Sequence, residues 1–375
     1  SWDHPLNLGP IGVTGGEPAN NVCAKADVVF GVGTRFQDFT TGSWGLFAHA
    51  DRKIIRLNVA AYDDAKHGAI PLLADARIGM EELGAALGDT RFEANAEALK
   101  SDWFGKVDPL TDAPGDGNAL PTDMQVIGAV QRAANENTVA MCAAGTMPGE
   151  LHKLWKAGRP GSYHMEYGFS CMGYEIAGAM GIKLAEPERD VICFTGDGTY
   201  MMANSEMATA AMMGISFTVV VTDNRGYGCI NRLQMGCGAA EFNNLLDHAI
   251  GGENSNIDFA KHAEAMGAIS VKVASIAELE AALAKRDGNW GAVIDRSLLR
   301  RLEVAPGELV RVGDIDYRIT AVLEREPDRT SRAFTLGPTF MVAHDSLAET
   351  GLVQPGSLIQ HHYRLRLDEG TDATA

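Results

Sequence analysis

At 375 residues the chain is long enough for two or three domains with sizeable cores. Its 49 acidic against 32 basic side chains give a formal net charge of −17, which excludes nucleic acid and anionic membrane as generic partners, because both repel an acidic surface. No apolar run reaches bilayer-spanning length, so no membrane insertion is expected. The opening Ser1-Trp2-Asp3 has no initiator Met and no basic-then-apolar leader; the chain therefore reads as a cytoplasmic fragment rather than a signal-bearing precursor.

Residues 1–95 alternate short strands and helices. Strands are expected at 26–33, 53–59 and 69–74 and a helix at 79–87, which argues for a parallel sheet covered by helices. Gly31-Val32-Gly33 starts like a dinucleotide fingerprint but lacks the third glycine, so a tight strand-to-loop turn is favoured there. Residues 107–120, rich in Pro, Gly and Asp, read as a linker. A second α/β unit follows, with Thr122 or Asp123 capping a helix over 124–135 and a strand over 138–143 running into Gly145-Thr146. Helices are expected at 150–156 and 174–185, strands at 191–195 and 215–222, and a closing helix at 275–285. From residue 291 the texture changes: 307–324 alternates apolar and polar residues around Gly313-Asp314 and reads as a β-hairpin. The six cysteines contain no CxxC pair, so reduced thiols are expected rather than a zinc site or disulfides, with Cys171 and Cys229 buried.

The stretch that carries chemistry is Gly196-Asp197-Gly198 after one strand and Asp223-Asn224-Arg225-Gly226 after the next. Two parallel strands would bring an acid, an amide and a backbone carbonyl around one small hard cation, and Mg²⁺ takes such oxygen ligands together with phosphate oxygens. Glycines beside Asp197 allow close approach of a phosphate, and the next helix turns its amides toward it. Asp197, Asn224 and Gly226 are the candidate metal ligands.

This pattern resembles the thiamine-diphosphate-dependent enzymes, whose motif is GDG followed by about two dozen residues and an Asn. WDHPLNLGPIGVTGG, GVGTRFQDFTTGSW, GELHKLW, EYGFSCMGYEIAGAMG and DNRGYGCINRLQ resemble the branch that hydrolytically opens a cyclic 1,2-dione in inositol catabolism. The resemblance implies two doubly wound parallel-sheet domains: a central Rossmann-like domain (1–106, truncated at its N-terminus) and a diphosphate-binding domain (121–290). A small β-rich segment (291–375) follows. It implies thiamine diphosphate and Mg²⁺ as cofactors, with Gly145, Thr146, Gly196, Gly198 and Thr199 around the diphosphate. The Ser170 carbonyl would meet the 4′-amino group and Met172 would wedge the cofactor into its bent shape. Asn231 and Gln234 could face a polyhydroxylated substrate. It also implies a homodimer or homotetramer and an activating glutamate in a pyrimidine-binding domain that this chain lacks, so no catalytic residue is assigned and activity is expected to be impaired. The tail stretches DRSLLRRLEVAPGELVRVGD and FTLGPTFMV resemble an extracytoplasmic segment of an ABC-transporter permease, with the junction near 291–295. An acetolactate-synthase-like enzyme that decarboxylates 2-oxo acids, and a non-catalytic chimeric interaction module, stay open as alternatives.

Overall fold

The computed structural model describes residues 1–90, 95–113, 119–252, 256–284, 289–323, 339–343 and 346–354. Residues 114–118 of the expected linker, and 324–338 and 355–375 of the tail, lie outside the described residues. The chain divides into two units, Ser1–Leu283 and Ala284–Ala375.

In the first unit, β1 (Val28–Val32), β2 (Lys53–Asn58) and β3 (Ile70–Leu73) form a parallel sheet in that order. Phe36, Phe47 and Ile54 are buried beside it, with Trp44 and Val29 packed against them. The helix Ala76–Leu87 begins earlier than the apolar pattern suggests, because Asp75 caps it by accepting from the amides of Arg77 and Ile78.

The second sheet carries the site. Its strands are β4 (Thr138–Cys142), β5 (Tyr163–Met165), β6 (Asp190–Gly196) and β7 (Thr218–Thr222), all parallel in the order β5-β4-β6-β7. Side chains of β4 and β6 alternate strictly between two cores, as a sheet buried on both faces requires. Ala140, Cys142, Ile192 and Phe194 pack with Ile127, Val130, Leu151, Leu154, Leu279 and Leu283. Val139, Met141, Val191 and Cys193 face Ala179, Tyr174 and Ile182. Helices therefore cover both faces, giving the doubly wound α/β arrangement.

The expected linker begins later than its composition suggests. Residues 107–111 close the helix Ala96–Thr111, with Pro109 inside it and Val107 buried in the core. The next helix, Asp123–Ala133, starts with a complete capping box: Thr122 accepts from the Gln125 amide and Gln125 returns a side-chain acceptor to the Thr122 amide. Gly128 lets the two helices approach closely; a Cβ there would collide with the Thr111 carbonyl. That contact, with Val107, holds the Pro- and Asp-rich residues helical.

The second unit is a mixed sheet in the order β11-β8-β10-β9, from β8 (Trp290–Asp295), β9 (Leu309–Val312), β10 (Ile315–Leu323) and β11 (Phe340–Val342). The β9–β10 hairpin turns at Gly313-Asp314, with Val312 opposite Ile315. Residues 291–295, ambiguous in the sequence, lie in β8 and pair with β10 and β11, so they belong to this unit's sheet. A helix the sequence reading omitted, Arg296–Leu302, follows; Asp295 caps it by accepting from the Ser297 amide. Trp290, Ile294, Tyr317 and Ile319 form the core, and the buried Tyr317 hydroxyl donates to Ser346 Oγ at 2.7 Å.

Candidate functional site

Because β4–β7 are parallel, the loops after them open on one edge of the sheet. The chain leaves β4 toward β5 and later returns to β6 on the other side of β4. That reversal is a topological switch point, where open α/β sheets bind ligands. Loops 143–145, 166–173, 196–198 and 223–227 meet there.

Asp197 opens the helix Asp197–Met202, with Gly196 as its N-cap. The residue is 3% exposed. Its Oδ2 accepts a hydrogen bond from the Gly226 amide at 2.7 Å, whereas its Oδ1 is buried without a hydrogen-bond partner among the described residues. Burial pushes this carboxyl upward, the Gly226 amide pulls the other way, and the charge of Asp223 adds to the rise. A buried carboxylate with a spare oxygen is costly unless a cation or donor completes it.

Gly226 (φ +139°) needs glycine twice over, since a Cβ would also press into the Asn244 carbonyl. The loop is fastened to 244–246: Tyr227 N donates to the Asn244 carbonyl and Leu246 N to the Arg225 carbonyl, both at 2.8 Å. A Cβ on Gly198 would stand 2.7 Å from the Tyr227 ring and 3.3 Å from the Gly226 carbonyl oxygen. The missing side chain at 198 thus leaves a cradle against the Tyr227 ring and that carbonyl. The exposed Asn224 lies against Gly228, where a Cβ would be 3.1 Å from its amide oxygen. Asp197, Asn224 and Gly226 are brought together, and all three offer oxygen, the donor that Mg²⁺ prefers.

On the neighbouring strand end, Gly145 (φ +119°) is the N-cap of the helix Thr146–Leu154. Two helix N-termini therefore start from adjacent strands β4 and β6, a disposition that favours an anion. Thr199 is buried one turn inside. After β5, Glu166 organises loop 166–173: its Oε1 accepts from Phe169 N at 2.9 Å and its Oε2 from Cys171 N at 2.7 Å. Those amides hold its carboxyl below the usual range. They also fix Ser170 at φ +54° and leave Met172 half-buried. Cys171, expected to be buried, is exposed because its amide is tied to Glu166 at the surface, and Cys229 is half-buried. His164 Nε2 lies 3.0 Å from the Tyr174 hydroxyl with the two rings stacked.

Asn231 and Gln234 are engaged with residues 240–244. Asn231 is buried and donates to Glu241 Oε1 at 2.8 Å; Gln234 donates to the Ala240 carbonyl and accepts from Asn244. Sequence reasoning passed over Glu175, which is 1% exposed and bonds to the amides of Ala144 and Gly173. A glutamate in a helix's first turn is ordinary, and only its near-complete burial sets it apart.

Comparison with known proteins agrees with this geometry. The thiamine pyrophosphate enzyme central domain matches residues 1–83, and the C-terminal TPP binding domain of the same enzymes matches residues 143–293. The chain belongs to the thiamine pyrophosphate enzyme family. The chain is 38% identical over 309 residues to a 3D-(3,5/4)-trihydroxycyclohexane-1,2-dione hydrolase of Geobacillus thermodenitrificans (strain NG80-2), covering 75% of this chain and 48% of that relative. It is 36% identical over 361 residues to a hydrolase of the same name from Clostridium perfringens (strain 13 / Type A), covering 88% of this chain and 56% of the relative. The chain thus spans about half the length of the curated relatives it matches. No comparison supports the permease resemblance of residues 291–375; the Clostridium alignment covers more of this chain than residues 1–293 contain. Within the thiamine pyrophosphate enzyme domain, Gly145, Asp197, Asn224 and Gly226 all lie in the matched span.

Proposed function

We propose that the chain binds thiamine diphosphate through Mg²⁺ at the carboxyl edge of β4, β6 and β7, and that it serves hydrolytic C–C cleavage of a cyclic 1,2-dione. The observation that carries the proposal is the buried Oδ1 of Asp197, which has no hydrogen-bond partner among the described residues although Oδ2 of the same carboxylate is held by the Gly226 amide. Asp197, Asn224 and the Gly226 carbonyl would hold the metal. The helix N-termini at Gly145 and Gly196 would face the diphosphate, and the loop with Ser170 and Met172 would face the organic part. The cofactor supplies a nucleophilic ring carbon and an electron sink for C–C cleavage when bound.

This chain's own contribution is placement. The Asp197 carboxylate would offset part of the cation's charge, and the Gly226 carbonyl would give it a neutral oxygen ligand. Glu166 holds the Ser170 turn in its left-handed conformation. Packing around the cradle excludes water from the carboxylate. Hydrolysis of the dione would consume one water and yield an open-chain deoxy acid. The substrate reading rests on the relatives being trihydroxycyclohexane-dione hydrolases by name. It is tested by supplying 3D-(3,5/4)-trihydroxycyclohexane-1,2-dione, thiamine diphosphate and Mg²⁺ to the chain and following the ring-opened acid by chromatography. Slow ring opening, lost in Asp197→Ala, is the expected result; decarboxylation of pyruvate in its place would overturn the assignment.

A further inference from the structure

Glu175 is a buried acid with no place in the metal and diphosphate contacts described above. It lies in the first turn of the helix Tyr174–Ala185 and is 1% exposed. Its Oε1 accepts from the Ala144 amide at 3.3 Å, and its Oε2 accepts from the Gly173 amide at 3.0 Å. Ala144 precedes Gly145 in the turn after β4, and Gly173 follows Met172 in the turn after β5. Both turns hold glycine at positive φ, +119° at Gly145 and +94° at Gly173. Neither turn is a regular element, so each depends on side chains to fix it. Glu166 organises the second from within, and the Glu175 carboxylate bonds to both.

Burial makes this arrangement expensive, and it raises the Glu175 carboxyl above its ordinary value despite the two amides. A helix cap alone would not need it: an acid in the first turn serves equally well when exposed. The bond to Ala144, 31 residues away in sequence, is the part that a cap does not explain. We propose that Glu175 is a positioning residue that locks the Gly145 turn to the Ser170–Gly173 turn, setting the spacing between the diphosphate and organic ends of the cofactor site. The inference rests on the thiamine diphosphate reading above. Glu175 acts without touching the cofactor, through the amides on either side.

The test separates a lock from a general structural role by using two ligands. Inorganic diphosphate with Mg²⁺ engages only the Gly145 and Asp197 side, whereas thiamine diphosphate with Mg²⁺ engages both turns. Both are titrated by calorimetry into the full chain as wild type, Glu175→Gln and Glu175→Ala. Glu175→Gln keeps one acceptor and sets an N–H donor against the other amide. The expected loss in Glu175→Ala is about ten-fold or more in affinity for thiamine diphosphate and under about two-fold for inorganic diphosphate, with Glu175→Gln between. Hydrogen exchange of the ligand-free chain should rise in 143–146 and 171–174 together while 138–142 stays protected. Equal weakening of both ligands, or faster exchange in one turn alone, overturns the lock. Failure of the wild type itself to bind thiamine diphosphate would overturn the proposed function, and this inference with it.

Discussion

Asp197→Asn isolates the central interaction, since it removes the charge and keeps the shape. In the ligand-free chain the carboxylate is buried with its Oδ2 bonded to the Gly226 amide, while its Oδ1 has no hydrogen-bond partner among the described residues. Removing an uncompensated buried charge relieves the fold, so the ligand-free variant should melt no lower than the wild type. With ligand the order reverses. At a ligand concentration of 100 times Kd the wild type gains about 2.7 kcal/mol. At about 2.1 cal/mol/K per residue the first unit, Ser1–Leu283, shifts by about 1.7 °C per kcal/mol, so that is a rise of roughly 4–5 °C. Loss of one charged oxygen ligand weakens binding by about 100-fold. The same concentration then equals Kd, and the gain falls to about 0.4 kcal/mol, or about 1 °C. Melting curves by circular dichroism, with and without thiamine diphosphate and Mg²⁺, read both arms. An Asp197→Asn chain that still rose by the wild-type amount would refute the assignment of Asp197 as a metal ligand.

Further outcomes follow from other residues. Gly226→Ala should abolish the ligand-induced rise and lower stability by more than about 1 kcal/mol, because its φ of +139° and the Asn244 carbonyl both oppose a side chain; thermal melting checks it. Gly128→Ala should destabilise by about 1–3 kcal/mol through the collision with Thr111, measured by urea unfolding, while leaving affinity for Mg²⁺-diphosphate unchanged. Glu166 has its carboxyl lowered below 4.5 by the amides of Phe169 and Cys171, so its stabilising effect on loop 166–173 is fully present above that value. As pH falls through the lowered folded value that effect disappears. The stability difference between wild type and Glu166→Gln should therefore shrink toward zero in acid, and a difference that grew there would contradict the assigned sign.

The proposed metal ligands stand out in the sequence because such chemistry leaves a local trace: strand, GDG, helix, strand and an Asn two residues before a glycine. The doubly wound sheet was legible because β4 and β6 are apolar on both faces and run into glycine-containing turns. What the sequence concealed depends on partners distant in the chain. Residues 107–111 carry turn-like composition yet stay helical, because Gly128 admits the Thr111 carbonyl at close range. Glu175 looked like any acid in a first helical turn until burial and Ala144 gave it a second role. Asn231 and Gln234 have the right chemistry for a hydroxylated substrate, and their bonds to residues 240–244 could not be read from spacing. Strand β8 carries the alternation of a strand without saying which sheet it joins, since pairing is decided by β10 and β11.

The most direct test of the Mg²⁺-diphosphate cradle is a calorimetric titration of the wild-type chain with thiamine diphosphate, run with Mg²⁺ and again with a chelator. The cradle predicts saturable binding of one cofactor per chain that depends on the metal and vanishes in Asp197→Ala. Binding of equal strength without Mg²⁺, or binding unaffected by that substitution, would contradict it.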